Sequence, residues 1–562
     1  MTWIHPLSAE VEETVDVLGG KAHGLIVLRR LGLPVPPGFV IGTEACRAYL
    51  LTGRLPDGLG TELAHSVRAL EAAAHRTLGG PERPLAVSVR SGGPVSMPGM
   101  MSTVLNLGLT SEATVALAEE TGDPRFALDS RLRFLTSFAS EVVGVGRRSL
   151  AHAEQVLAGA EWAIGGQDDD LSGLETAIRE VEQLIRDRSG ESVPEDAARQ
   201  LELAVEAVFS SWDTPRARTF RALHDIPGDL GTAVTVQAMV FGNRDGRSGT
   251  GVAFSRDPNT GERVPFGEVL FGRQGDDVVS GTSITRPLSE LADREPAVWA
   301  GLSAALDRLE EHDRDACYVE FTFEAGELWI LQARPGRFVG RAAVRVAVDL
   351  AEAGTIGRDE ALLRVSPQQL SQVRTPRITV VDPRDVFVRG LGASPGVAVG
   401  RVATTADSAA RLAAGGPVVL LRPDTSPLDL HGLAAAAGVV TARGGPTSHA
   451  AVVARAMGKP AVVGAAGLTV DAAAGCARAG GRVLPEGTLI ALDGTSGEVV
   501  VGEPRVTTDA ADPHLRRLLG WADDVAGGAD GDRDETERLA SAQAVLRGAG
   551  GQGAPGRIRG LR

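Results

Sequence analysis

The chain has 562 residues, with 57 lysine and arginine residues against 72 aspartate and glutamate residues and a formal net charge of −15 at pH 7. This length predicts two or three domains, and the acidic balance argues against nucleic acid or a membrane surface as a main partner. Three widely separated cysteines and the lack of a long apolar segment predict a soluble cytoplasmic protein without structural zinc or membrane spans.

The predicted elements indicate a multidomain protein of mixed α/β and α+β class. Strands punctuated by glycine occur towards both ends, and charge pairs in stretches such as "LETAIREVEQLIRDR" indicate helices between them. The glycine- and arginine-rich end of the chain cannot build a core and is predicted to be disordered. The predicted segments are a first domain at 1–340 with a helical insertion at about 125–225, a helical linker at 341–387, a second domain at 388–505, and a partly disordered tail at 506–562.

Lysine is rare in this chain. Only two of the 57 basic residues are lysines, Lys21 and Lys459, so a lysine that appears despite this bias is a candidate for chemistry. Lys21 follows a glycine pair in "DVLGGKAHGLIVLRRLGL", where its compact ammonium could reach a nucleotide phosphate; an exposed lysine on a turn is the alternative. Lys459 precedes Pro460 and is predicted to cap or solvate the end of its own helix.

A glycine-rich loop follows the predicted strand "LAVSV". The segment "SVRSGGPVSMPGMMSTVLNLG" contains Gly92, Gly93 and Gly99, whose backbone can approach a phosphate chain closely because it lacks Cβ atoms. Arg90 would offer a planar fork of donors to phosphate oxygens. The alternative is a surface loop with a patch of methionines.

A predicted hairpin carries a candidate metal site. In "YVEFTFEAGELWILQARPG" two strands meet through a turn at Ala325 and Gly326, so Glu320 and Gln332 can lie near each other, with Arg334 further along the same face. A carboxylate and an amide oxygen suit magnesium, which keeps several waters and bridges nucleotide phosphates. The alternative is a solvated face of the hairpin.

A histidine stands at the start of a predicted helix in "VTARGGPTSHAAVVARAMGKP". Residues 439–441 read as a short buried strand, the glycine pair as a turn, and the run from Thr447 to Gly458 as a helix. His449 therefore lies in the first helical turn, where the helix dipole favours an anion and discourages protonation of the imidazole. The pattern predicts a nucleophile that can carry a phosphoryl group; a polar residue at a helix start is the alternative.

Five stretches in this order resemble the successive signatures of the pyruvate, phosphate dikinase family. They are "LGGKAHGLIVLRRLGLPVPPGFVIGTEACRAYL", "SVRSGGPVSMPGMMSTVLNLGL", "GTAVTVQAMVFGNRDGRSGTGVAFSRDPNTGE", "VEFTFEAGELWILQARPGR" and "RGGPTSHAAVVARAMG". The resemblance implies an ATP-grasp nucleotide-binding domain at 1–340 and a swivelling phosphohistidine domain at 388–505. The "SMPGMM" loop favours the dikinase branch over the related phosphoenolpyruvate synthases.

The resemblance also implies a reaction and the residues that perform it. ATP and inorganic phosphate would leave phosphate on His449 and release AMP and pyrophosphate, and the phosphate would then pass to pyruvate at a distant barrel domain. Lys21 and Arg90 would bind the triphosphate, and Arg334 would stabilise the transfer. Glu320 and Gln332 would hold Mg²⁺. The other nucleotide-binding positions implied by the family are Ser91, Gly92, Gly99, Met101, Thr103, Gln237 and Met239.

Two features depart from the family pattern. Tyr318 stands where the family usually has an acidic residue, so the metal or nucleotide geometry is expected to differ. The family's pyruvate-binding (β/α)₈ barrel needs about 250 residues, whereas 57 residues follow residue 505. The sequence therefore predicts that a separate barrel protein or another acceptor unloads His449; a homodimer is compatible with this prediction.

Two other functions stay open at this point. One is a phosphotransferase that acts on a different small molecule, although no extra acceptor-binding domain is evident in the sequence. The other is a regulatory or truncated protein that binds ATP without turnover.

Overall fold

The computed structural model describes residues 2–95, 97, 100–159, 169–275, 285–336, 338, 340–371, 373–374, 376–379, 385–445, 448–508, 512–528 and 533–550. The chain divides into two compact units. The first unit comprises residues 1–249, 271–273 and 320–333, and the second comprises residues 250–270, 274–319 and 334–562. The division at residue 249 falls inside the segment that the sequence analysis assigns to one domain.

The first unit contains an antiparallel five-stranded sheet with one apolar and one polar face. Val87, Val89, Val234 and Val236 alternate along two neighbouring strands and belong to the apolar core of this unit. Residues between them therefore face the opposite side, because side chains alternate along a strand. Across the sheet the strands are Ile4–Pro6, Gly38–Ile41, Ala233–Ala238, Val87–Gly92 and Thr103–Leu107.

The first unit also contains α-helices, and several of them lie in the segment at about 125–225 for which the sequence predicts a helical insertion. Pro124–Phe138 begins at Asp123, whose carboxylate accepts a hydrogen bond from the amide of Phe126, as expected for an N-cap. The α-helices of the unit are Val15–Arg30, Thr43–Thr52, Leu59–Ala74, Ser111–Thr121, Pro124–Phe138, Ala151–Gly159, Asp169–Ser189, Ala197–Ser211 and Pro215–Leu223. The unit also contains a π-helical turn at Ala139–Val143 and a 3₁₀ turn at Arg147–Leu150. Two short strands, Thr77–Leu78 and Pro84–Leu85, pair with each other.

A second five-stranded sheet contains the predicted hairpin. Its strands, in order, are Arg286–Pro287, Phe266–Phe271, Gly249–Phe254, Cys317–Glu324 and Glu327–Pro335. Ala325 and Gly326 form the hairpin turn with φ values of 51° and 82°, as a two-residue turn between twisted strands requires. Helices Glu290–Arg294 and Pro296–Asp313 precede the hairpin.

The predicted linker is helical, and helices of the tail pack on it. A single apolar core joins these helices, with Val344 and Leu362 on the linker side and Leu518 and Leu539 on the tail side. Within its described residues, the tail therefore contains two helices that pack on the linker. The helices are Gly340–Glu352, Arg358–Arg364, Pro367–Ser371, Pro513–Ala526 and Glu535–Gly550, and the strand Pro376–Ile378 pairs antiparallel with Val506–Thr508.

The second predicted domain is an α/β unit around an eight-stranded mixed sheet. Its strands, in order, are Val386–Arg389, Glu498–Val501, Leu489–Asp493, Val397–Ala403, Val418–Arg422, Gly438–Thr441, Ala461–Val463 and Leu391–Ser394. Four of them, from Val397–Ala403 to Ala461–Val463, run parallel. The connecting helices are Ala406–Ala413, Leu430–Ala435 and His449–Ala456. The domain also contains a 3₁₀ turn at Pro427–Asp429 and a small sheet of the strands Thr469–Asp471, Cys476–Ala479 and Arg482–Pro485.

Within the part of the chain that the structure describes, every helix is too short or too polar to cross a membrane.

Candidate functional site

Two glycine pairs bring the predicted phosphate-binding segments together in the first unit. Gly19 has a φ of 72°, and a Cβ atom built on it would lie 1.5 Å from the carbonyl oxygen of Gly92. The amide of Gly20 donates a hydrogen bond of 3.0 Å to the carbonyl of Gly93. The two backbones can approach this closely only because glycine lacks a Cβ. Lys21 therefore lies directly beside the loop that follows Arg90.

Arg90 stands in a row of polar residues on the sheet face opposite the apolar core. In the sheet register Arg90 pairs with Thr235 on one side and with Thr103 on the other. Directly paired residues of antiparallel strands share a face. Gln237 pairs with Ser88 two residues along the same face. Three positions that the family resemblance assigns to the nucleotide, Arg90, Thr103 and Gln237, are thus collected on one surface.

The other positions implied by the resemblance differ in their surroundings. Gln237 is buried and donates from Nε2 to the carbonyl of Pro36 at 3.1 Å, and the amide of Met239 donates to the carbonyl of Ala86. Met101 accepts a hydrogen bond at sulfur from the Ser211 hydroxyl. Ser91 lies on the same strand as Arg90, and Gly99 lies outside the described residues.

Glu320 and Gln332 lie on the two strands of the predicted hairpin, both half-buried. Their carboxylate and amide oxygens are the donor types that Mg²⁺ prefers. The described residues contain no group of three or more histidine, cysteine or carboxylate side chains that could enclose a metal ion. Magnesium binding by Glu320 and Gln332 therefore stays a prediction.

Arg334 ends the second strand of the hairpin and is exposed. Its guanidinium carbon lies 5.4 Å from the ring centroid of Tyr318, within the range of a cation–π interaction. Tyr318 thus contacts Arg334 through the face of its ring.

His449 is the first residue of the helix His449–Ala456, as the sequence predicts. The preceding parallel strand, Gly438–Thr441, is fully buried, so the histidine lies beyond the carboxyl end of a parallel strand, where open α/β sheets bind ligands. Its Nδ1 lies 3.1 Å from the hydroxyl of Thr425. Ser448 Oγ is buried and has no hydrogen-bond partner within the described ranges.

The surroundings of His449 favour its neutral form. Burial lowers the pKa of His449 below its ordinary value, and the negative charge of Asp429 offsets part of that shift. Asp429 is itself 7% exposed and is held by the guanidinium of Arg422 at 3.2 Å and by the amide of Ser426 at 2.9 Å. The imidazole is thus a neutral, half-buried group beside a fixed carboxylate.

A shallow pocket opens beside His449, and an ion pair closes one side of it. Arg443 precedes the glycine pair of the histidine loop, and its guanidinium pairs with the carboxylate of Asp424. Thr441, at the end of the buried strand, also lines the pocket and donates its hydroxyl proton to the carbonyl of Arg443. Charged and hydroxyl side chains therefore line this pocket together with His449 and Ala450.

The histidine loop packs against the second sheet within the second unit. A Cβ built on Gly445 would lie 1.4 Å from Glu268 Oε2, and Glu268 is 1% exposed. The guanidinium of Arg455, on the histidine helix, lies 5.8 Å from the ring centroid of Phe254. Gly445 thus marks a close approach between the loop and a buried carboxylate.

Lys459 caps a different helix from the one predicted. Its ammonium donates to the carbonyls of Leu433 at 3.1 Å and of Ala436 at 2.6 Å, and also to that of Ala434. These carbonyls belong to the end of the neighbouring helix Leu430–Ala435, whose last carbonyls have no partner within the helix. The sequence prediction of a cap on the histidine helix is wrong because the long lysine side chain reaches sideways to the next helix.

Sequence reasoning missed Thr425, Asp429 and Thr235. The stretch "DTSPLD" follows the buried strand Val418–Arg422 directly, and that strand neighbours the strand before His449. Parallel pairing therefore brings both loops to the same sheet edge. An inference that these two strands are parallel neighbours could therefore have placed Thr425 and Asp429 near His449.

Comparison with known proteins identifies both domains. Residues 49–288 match the family described as pyruvate phosphate dikinase, AMP/ATP-binding domain, and residues 415–497 match the PEP-utilising enzyme mobile domain. The first match includes Arg90 and Thr235, and the second includes Thr425 and His449. The chain therefore combines an ATP-binding domain with a mobile domain in a mixed α/β multidomain fold.

Curated relatives extend the similarity to almost the whole chain. The chain is 43% identical over 528 residues to pyruvate, phosphate dikinase of Rhizobium meliloti (strain 1021), and the match covers 91% of this chain and 58% of the relative. Pyruvate, phosphate dikinase 2 of Zea mays is 42% identical over 91% of this chain and 58% of the relative. Pyruvate, phosphate dikinase 1, chloroplastic, of Arabidopsis thaliana is 42% identical over 91% and 53%. The chain thus spans a little more than half the length of these relatives.

Proposed function

We propose that this chain is a pyruvate phosphate dikinase-like, ATP-dependent phosphotransferase in which His449 carries the phosphoryl group. The observation that carries the proposal is the pairing of His449 Nδ1 with the Thr425 hydroxyl at the start of a helix. If Nδ1–H donates to Thr425, the lone pair of Nε2 is available to attack phosphorus. Donors at the helix start favour the negative charge of the phosphorylated form.

The proposed products, AMP and pyrophosphate, determine which phosphorus atom of ATP stays on the protein. Release of AMP requires that the bond between the β-phosphorus and the oxygen leading to the α-phosphorus breaks, with Nε2 forming the new bond to the β-phosphorus. Pyrophosphate forms when inorganic phosphate takes the γ-phosphoryl group. The β-phosphoryl group then remains on His449, and AMP leaves with the electron pair of the broken bond.

Lys21, Arg90, Glu320 and Gln332 of the first unit supply the nucleotide-binding residues of this proposal, and Arg334 belongs to the second unit. Lys21 and Arg90 would bind phosphate oxygens beside the glycine pairs at residues 19–20 and 92–93. Glu320 and Gln332 would hold Mg²⁺. The metal, when bound, offsets the charge of the phosphate chain. Arg334, whose guanidinium lies over Tyr318, stabilises the transferred group.

We propose that phospho-His449 passes its phosphoryl group to pyruvate held by a separate barrel protein. A chase of labelled protein with pyruvate alone tests this part of the proposal. Retained label agrees with it, and formation of phosphoenolpyruvate by the isolated chain contradicts it.

The experiment that tests the first half-reaction uses ATP labelled at the β-phosphate, with Mg²⁺ and with or without inorganic phosphate. We expect acid-labile, base-stable label on the protein, release of AMP, and no label on the His449→Ala variant. His431→Ala, on the neighbouring helix and exposed, is the matched control and is expected to be labelled like the wild type. Bound ATP without label or AMP would contradict the proposal and favour a nucleotide-binding regulatory protein.

A further inference from the structure

A small polar cradle lies beside Gly92, between Lys21 and Thr235. A Cβ built on Gly92 would lie 3.3 Å from Lys21 Cβ, 3.8 Å from Thr235 Oγ1 and 3.9 Å from the amide nitrogen of Lys21. A side chain at residue 92 would therefore stand tightly against Lys21 and in contact with Thr235, and glycine leaves this position open. A hydroxyl and a backbone amide border the position, and both are groups that can hydrogen-bond to an oxygen atom of a ligand.

The hydroxyl of Thr235 is an isolated polar group in this cradle. Thr235 is 0% exposed, and its Oγ1 has no hydrogen-bond partner among the residues that the structure describes. A buried hydroxyl without a partner destabilises the folded state, so such groups point to a ligand or an ordered water. Valine would fill the same position of a buried strand without this cost.

The position of Thr235 connects the hydroxyl with the proposed nucleotide site. Thr235 pairs directly with Arg90 across the sheet, so the two side chains share one face. Lys21, on the helix Val15–Arg30, and Thr235 both lie within 4 Å of the position that a Gly92 side chain would take. The hydroxyl therefore shares the sheet face of Arg90 and lies close to Lys21, and these are the two cations that the proposed function assigns to the phosphates.

We propose that Gly92, Lys21 and Thr235 form a subsite for one oxygen of the nucleotide's phosphate chain, with the Thr235 hydroxyl as donor, directly or through one water. This inference rests on the proposed function, because the phosphate chain is that of the ATP bound at Lys21 and Arg90. It adds Thr235 as a nucleotide-binding residue and gives Gly92 a second role, which is to leave room for the oxygen.

The test compares MgATP affinity and thermal stability in Thr235→Val, Thr235→Ser and Gly92→Ala. Hydrogen bonds to charged groups contribute about 1.5 to 3 kcal/mol, so Thr235→Val should weaken MgATP binding ~10-fold or more. The same variant should unfold without ATP at the wild-type temperature or above it. Thr235→Ser should keep most of the affinity. Gly92→Ala should fold, because φ at Gly92 is not in the left-handed region, and should lose affinity because its methyl group occupies the cradle.

Thr136→Val is the matched control. Thr136 Oγ1 is also buried without a hydrogen-bond partner in the described part of the first unit, but it lies on the helix Pro124–Phe138. This variant should bind MgATP like the wild type. Unchanged affinity in Thr235→Val, or an equal loss in both valine variants, would overturn the inference while leaving the proposed function intact. Failure of the wild type itself to bind MgATP would overturn both.

Discussion

The hydroxyl of Thr425 lies 3.1 Å from Nδ1 of His449, and this contact sets the orientation of the imidazole. A histidine ring has two nitrogens, and the partner of one decides the proton state of the other. Thr425 is 8% exposed, so water competes little for the contact. The contact therefore restrains the ring through Nδ1, and Nε2 is the nitrogen left for the phosphorylation proposed above.

Replacing Thr425 with valine should slow the phosphorylation of His449 about 10- to 100-fold. The variant keeps the shape of the side chain but removes the hydroxyl that pairs with Nδ1, so a neutral hydrogen bond worth about 0.5–1.5 kcal/mol and the orientation of the ring are lost. The measurement is the initial rate of protein labelling by β-labelled ATP. MgATP affinity should stay at the wild-type value.

Two further variants separate positioning from packing at this site. Thr425→Ser restores the hydroxyl and should recover most of the rate, whereas Thr469→Val, at an exposed strand position of the same domain, should change nothing. A serine variant as slow as the valine variant would show that packing of the methyl group matters, and would refute the orienting role.

The acid limb of the labelling reaction should have a midpoint below the ordinary histidine pKa of about 6.5. Burial lowers the pKa of His449, so the neutral, nucleophilic form persists to lower pH than in an exposed histidine. Labelling should fall as the pH drops through this lowered pKa. Initial rates at saturating MgATP across the pH range provide the measurement, and a midpoint at or above 6.5 would contradict the expectation.

Gly19→Ala should destabilise the first unit and weaken ATP binding strongly. Its φ of 72° alone costs a residue with a Cβ about 1 to 3 kcal/mol, and the overlap with the Gly92 carbonyl adds to this. Gly24→Ala, in the same helix and with open space around the built Cβ, is the control. It should stabilise the protein by up to about 1 kcal/mol, because alanine is the better helix former. Thermal unfolding measures both effects, and equal unfolding temperatures would refute the role of the close approach.

Gly445→Ala should shift the histidine loop and slow labelling from ATP. Its backbone is outside the left-handed region, so the effect comes from the overlap of the new methyl group with the Glu268 carboxylate. Removing that carboxylate in the double variant Gly445→Ala, Glu268→Ala should recover part of the rate. Such recovery is a coupling between two sites in contact, and additive losses would show that the two positions act independently.

Local patterns were enough to predict the strand, turn and helix that position His449 and the hairpin that carries Glu320 and Gln332. Glycine, proline and alternating apolar residues act within a few positions, so their effects are visible in the sequence. The partners of these residues were not predictable in the same way. Thr425 and Thr235 reach their neighbours through strand pairing between distant segments, and periodicity carries no record of which strands pair. The prediction for Lys459 was wrong for the same reason, because its partners lie on a helix that is distant in sequence.

The three carbonyl contacts of Lys459 also have a practical consequence for studying the protein in solution. Its ammonium donates hydrogen bonds to carbonyls at a helix end, while the only other lysine in the sequence is Lys21. Reagents that modify amines therefore have two side-chain targets, and the geometry of Lys459 restricts one of them. Protection of Lys21 from such a reagent by ATP would report occupancy of the nucleotide site at a single residue, without any engineered label.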